Sequence, residues 1–181
     1  MNPLPLLRHW LRGIGKLRGF GIQSPWAYDF VRNVVAERNP YYKYTETDPL
    51  SVNRHERRLC RLLLRIANFC QPATAFIDDS LPAVYADSLK AGCTHMQLVG
   101  NPREARLLLL PVMSPHVKTV LSHLPHGTTI MIFGINQTAA TRQRWAEVCA
   151  DTNSTTTFNL WKTGIIFVQD RYQQQHYTLN F

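Results

Sequence analysis

Apolar residues recur along this chain with two different periods, and the period changes from segment to segment. In Leu6–Leu17, the residues Leu7, Trp10, Leu11, Ile14 and Leu17 stand at helical spacing, with Arg8, Arg12 and Lys16 along another face. That pattern predicts a short amphipathic helix, weakened by Gly13 and Gly15. A loop over Gly19–Pro25 leads into a second helical pattern, Trp26–Ala36, and Asn39–Tyr44 (NPYYKY) is a turn rich in aromatics. The clearest helix is Asn53–Phe69, with Leu59, Leu62, Leu63, Ile66 and Phe69 as its apolar stripe and Gln71–Pro72 as its stop.

From Thr74 onward strand-like and helix-like runs alternate. Thr74–Ile77 reads as a buried strand, Ala83–Leu89 as the start of a helix and His95–Val99 as a second strand. A helix is expected from Pro102 through Arg103–Leu110, because proline suits the first turn and Glu104 favours the positive end of the helix dipole. Pro111 would end it. Ser114–Leu124 is the next helix, Thr128–Phe133 a buried strand, and Ala139–Ala150 a helix with Trp145 and Val148 inward. The last runs, Thr155–Leu160, Gly164–Val168 and His176–Phe181, have connections too short for parallel crossovers and predict an antiparallel meander. The expected architecture is an α/β sheet covered by helices, residues 53–181, preceded by a basic helical segment, residues 1–52.

Charge sharpens that division. Of the chain's 181 residues, the first 65 hold 12 Lys/Arg against 5 Asp/Glu, and the rest hold 8 against 7. The basic excess belongs to the N-terminal part and suits an acidic partner, RNA or an anionic surface. A hydrophobic share of 45% is ordinary for a globular chain, and no apolar run approaches the ~20 residues that span a bilayer. No secretory signal pattern is present, so a cytoplasmic location is expected. Cys60, Cys70, Cys93 and Cys149 lack metal-ligand spacing and read as buried thiols.

The candidate chemistry is sparse. Asp78, Asp79, Ser80, Leu81 and Pro82 join the first strand to its helix without a glycine. In an α/β fold such a turn is where a nucleotide-type cofactor sits, and glycine lets the backbone approach it. Here Pro82 has no N–H to donate and two carboxylates repel an anion. Asp78 and Asp79 could bind Mg²⁺ or act as a base, but an acidic turn capping the following helix with help from Ser80 is the simpler reading. Among the seven histidines, His116, His123 and His126 flank one helix without an accompanying carboxylate or cysteine. Arg54, Arg57, Arg58, Arg61 and Arg65 form a basic ridge that could hold RNA or another polyanion if a groove lay beside it.

Several segments, kept in order over most of the chain, resemble one family of bacterial class I S-adenosylmethionine-dependent methyltransferase-like proteins. They are Arg18–Trp26 (RGFGIQSPW), Pro40–Tyr44 (PYYKY), Arg61–Pro72 (RLLLRIANFCQP), Thr74–Leu81, Leu98–Ala105 (LVGNPREA), Thr129–Asn136 (TIMIFGIN) with Trp145, Gly164–Phe167 (GIIF) and Gln175–Phe181 (QHYTLNF). The resemblance implies a Rossmann-like, seven-stranded sheet ending in an antiparallel strand, with the cofactor on the first-strand turn and acidic residues on the ribose and near the substrate. The chain departs from each motif. Phe76 stands where the first acid would be, Asp78 and Pro82 where the glycines would be, Val99 in place of the ribose-binding acid, and Gly134 and Ile135 where acids would follow the fifth strand. With almost nothing between Leu110 and Ser114, roughly two strand–helix units of about 30 residues each look lost.

The expectation is therefore a shortened methyltransferase-type domain that has lost its cofactor and serves as a non-catalytic binding or scaffold protein. Its partner would be an unidentified protein or a second copy covering the sheet left open by the shortening. The competing expectations are a methyltransferase with an atypical S-adenosylmethionine pocket built from Asp78, Asp79, Ser80, Gly100 and Asn101, and an RNA- or phosphate-binding module using the arginine ridge. No metal is expected.

Overall fold

A computed structural model describes residues 4–39, 43–123, 125–151, 155–168 and 174–181. Helix α1 is Leu4–Gly13, α2 is Pro25–Phe30 and runs on into a π-helical turn at Val31–Val35, and α3 is the single turn Tyr44–Thr47. Helix α4, Arg54–Cys70, starts at Asn53, whose side chain accepts from the amides of His55 and Glu56. It stops at Gln71, which takes the left-handed conformation (φ 43°) before Pro72. The rest alternates: β1 Thr74–Ile77, α5 Val84–Gly92, β2 Gln97–Leu98, β3 Leu107–Pro111, α6 His116–Leu121, β4 Thr128–Phe133, α7 Ala139–Ala150, then β5 Thr156–Asn159, β6 Thr163–Val168 and β7 Gln175–Thr178.

The seven strands form one sheet in the order β2-β1-β3-β4-β6-β5-β7. The β2-β1-β3-β4 half is parallel, β6 is antiparallel to both β4 and β5, and β7 pairs parallel with β5. This is an α/β architecture with a mostly parallel sheet, compatible with a Rossmann-like fold. Alternate side chains of each strand feed two cores. Leu107, Leu109, Met131, Ile165 and Phe167 pack with α2, α4 and α5, while Leu108, Leu110, Ile130, Ile132 and Ile166 pack with α6 and α7. Phe30 of α2 lies against Phe158 and Phe167 at 4.9 Å, so the N-terminal segment and the sheet fill the same core.

Two expectations are corrected. The helix expected over Arg103–Leu110 is a 3₁₀ turn at Pro102–Glu104 followed by strand β3. Leu107–Leu110 are all buried because β3 is central and covered on both faces, and such a run has no alternation to betray a strand. With β3 in place the sheet is not short of strands, and the economy lies elsewhere. Residues 99–106 carry the chain from edge strand β2 back past β1 to β3 through only that 3₁₀ turn.

The second correction concerns the terminal meander. Strands β5 and β6 form the expected antiparallel pair, but β7 joins β5 in parallel, because both edges of β6 are already taken by β4 and β5. The expected turn at Asn39–Tyr44 falls partly outside the described residues.

Candidate functional site

The turn after β1 lies at the carboxyl edge of the sheet, beside the turn after β2, since the two strands run parallel. Asp78 continues the β1–β3 ladder by donating its amide to the Leu109 carbonyl at 3.0 Å. Its carboxylate accepts three hydrogen bonds. Oδ1 accepts from the Ser80 hydroxyl at 2.6 Å and the Ser80 amide at 3.2 Å, and Oδ2 accepts from the Ser114 hydroxyl at 2.9 Å. Partial burial works against ionisation, but these bonds and the nearby His116 outweigh it and hold the Asp78 carboxyl below its usual range. Helix α5 has no side-chain cap, so the expected capping role gives way to a turn tied through Ser114 to the end of the β3–α6 loop.

Of the other expected site residues, only Ser80 joins it. Asp79 and Ser80 are exposed, as are Gly100 and Asn101. Asn101 accepts from the Arg103 amide at 3.1 Å and donates to the Glu104 carboxylate at 2.9 Å, within its own turn. Phe76, Val99 and Ile135, which stand at the positions where the resemblance expects acids, are packing residues. Phe76 and Val99 rest against the core on the α6–α7 side, Phe76 meets the His116 ring at 5.7 Å, and Ile135 is fully buried. On the opposite face Tyr85 stacks on Phe133 at 5.2 Å, and burial pushes its phenol up to about 12.

The arginine ridge is largely dissolved into the fold. Arg65 is buried, donating to the Val34 carbonyl at 2.6 Å and the Tyr44 hydroxyl at 2.7 Å. Arg61 grips Asp48 with two nitrogens and stacks over Tyr44 at 4.7 Å, and Arg58 lies 4.6 Å over the Phe181 ring. Arg54 and Arg57 are left on the exposed side of α4. The thiols of Cys70 and Cys149 are pushed up to about 11 by burial, and the His123 ring bonds the Ser122 hydroxyl at 2.8 Å. Among the described residues no three His, Cys, Asp or Glu side chains come together in a metal-ligating group.

A different cleft, of about 410 Å³, opens between α1 and the carboxyl ends of β4, β5 and β7. Arg8, His9 and Arg12 line it from α1, Arg142 from α7, and Asn136 and Trp161 from loops at the sheet edge. Its described lining includes three arginines and no carboxylate. His9 is buried, bonded through Nε2 to the Leu179 carbonyl at 2.9 Å and set edge-on to Trp161 at 5.1 Å. Burial lowers its pKa, against the pull of the Leu179 carbonyl, which favours the neutral ring. Neither this cleft nor the smaller one of about 300 Å³ between α6 and α7 includes Asp78, Asp79, Ser80, Gly100 or Asn101.

The cleft was not legible in the sequence, because Arg142 is over a hundred residues from Arg8 and Arg12 and meets them only through the fold. The sole hint was the basic excess near the N-terminus. No helix among the described residues is long and apolar enough to cross a membrane. No protein-family model matches the chain, and no curated protein matches it.

Proposed function

We propose that this chain is a non-catalytic binding protein on a methyltransferase-type sheet, whose cofactor turn is closed and whose binding surface lies on the α1 side. The observation that carries the reading is the Asp78 carboxylate, held on one oxygen by Ser80 and on the other by Ser114 at the turn where the cofactor would rest. Phe76 and Val99, turned into the core in place of acids, remove the groups that would accept hydrogen bonds from a ribose. The reversed strand near the chain's end and the ordered motifs support descent from that family. The arginine-bearing cleft supports an anionic partner.

Calorimetric titration of the purified protein with S-adenosylmethionine and S-adenosylhomocysteine, with a parallel thermal-shift measurement, tests this. The expected result is no heat and no shift. A ligand present at 100 times its dissociation constant would add about 2.7 kcal/mol of stability, so binding would be plain, and either response would overturn the reading.

A further inference from the structure

Helix α1 is mounted the wrong way round for an ordinary surface helix, which buries its apolar stripe and exposes its charges. It is fixed to the body by His9 and by Gly13, whose buried face leaves no room for a Cβ beside Asn180. Asn180 in turn donates to the Trp10 carbonyl at 3.0 Å. At 3.6 residues per turn, Leu4, Leu7, Leu11 and Ile14 form one stripe with Trp10 beside it, on the side away from His9 and Gly13. These five side chains are 51–58% exposed, and Phe20 just beyond the helix is 71% exposed. Arg8 and Arg12 border that stripe and face the cleft, and Leu4 belongs to both.

We infer that α1 and its cleft form a docking surface for an anionic phospholipid bilayer. The leucines, Ile14 and Trp10 enter the headgroup–acyl boundary, while Arg8, Arg12 and Arg142 hold lipid phosphates in the cleft. The charge pattern selects this occupant. Residues 1–28 contain Arg8, Arg12, Lys16 and Arg18 and no acidic side chain. A second copy seated isologously on this face would bring two such basic segments to one interface, with no acid in either segment to pair them. An apolar face flanked by arginine, with tryptophan at its border, is the pattern of a helix lying in a membrane interface. Because ten residues are a short anchor, the phosphate cleft supplies the second attachment that stable binding needs. The inference extends the proposed function and stands whether or not the β1 turn holds a cofactor.

The test is co-sedimentation of the full chain with vesicles of phosphatidylcholine alone and of phosphatidylcholine with phosphatidylglycerol, over a range of salt. Binding is expected to the anionic vesicles and not to the neutral ones, and to weaken as salt rises. The exposed double variant Leu7→Glu/Leu11→Glu should abolish it with an unchanged melting temperature. Arg142→Ala, on α7 and outside the amphipathic helix, should weaken it about five-fold. No binding to anionic vesicles at low salt overturns the inference. So does equal binding to neutral vesicles, or binding indifferent to the double variant. Light scattering that finds a dimer which the double variant dissociates would assign the face to a second copy instead.

Discussion

At the scale of single residues, His9, Asp78 and Arg65 carry most of what is particular to this fold. His9, His55 and His176 all have pKa values lowered first by burial, with the charges of Lys162 and Arg58 adding to the effect at His55. Each protonates more readily in the unfolded chain, so the unfolded state takes up more protons once the pH falls below about 6.5. Stability is therefore full above that value and declines as the pH drops toward the lowered folded-state values. Urea midpoints should be lower at pH 5 than at pH 7.5, and His9→Gln, which keeps a donor for Leu179, should reduce the difference. Arg65→Met leaves the Val34 carbonyl and the Tyr44 hydroxyl without their buried donor and should cost about 2–4 kcal/mol in denaturant unfolding. The sequence showed an acidic turn beside Ser80 and suggested a helix cap, whereas Ser80 bonds Asp78 instead. The Ser114 contact was not visible there, because it spans 36 residues and depends on β1 and β3 being neighbours. Arg65 was read as one more residue of the basic ridge because a single buried arginine in a basic helix has no distinguishing pattern.

At the scale of elements, close approach decides as much as periodicity. Gly92 near the end of α5 packs so tightly on α4 that a Cβ would run into the Leu64 carbonyl, a backbone atom that cannot swing aside. Gly92→Ala should push the two helices apart and cost about 1–3 kcal/mol, seen as a fall of several degrees in melting temperature. Helix α4, strand β4 and helix α7 were read from the sequence almost to the residue, because α4 has a full amphipathic stripe, β4 a β-rich run and α7 the inward pair Trp145 and Val148. Asn53 caps α4, and Thr138 and Thr141 cap α7 reciprocally. Strand β3 was missed because four consecutive leucines between two prolines fit a buried strand and a buried helix equally well. The parallel seating of β7 was missed because strand pairing depends on which sheet edges are open, a property of the assembled sheet rather than of the segment.

For the whole molecule, the sheet brings two regions of opposite character to its carboxyl edge. On the β1–β2 side the turn is tied by hydrogen bonds from Ser80 and Ser114, and Phe76 and Val99 pack against the core. On the β4–β5–β7 side a cleft gathers arginines from both ends of the chain beside a helix that shows its apolar face to solvent. The α/β class was legible from strand–helix alternation, and the basic bias of the N-terminal part pointed toward an anionic partner. The position of the cleft was not legible, since it requires α1 to return onto β7, a contact between the two ends of the sequence. Hydrogen–deuterium exchange on the full chain, with S-adenosylhomocysteine and separately with phosphatidylglycerol-containing vesicles, compares the two regions directly. Vesicles should slow exchange across Leu4–Gly13, and S-adenosylhomocysteine should leave residues 77–84 unchanged. Protection of residues 77–84 by S-adenosylhomocysteine would contradict the closed turn, and unchanged exchange in Leu4–Gly13 with vesicles would contradict the placement of the binding surface on α1.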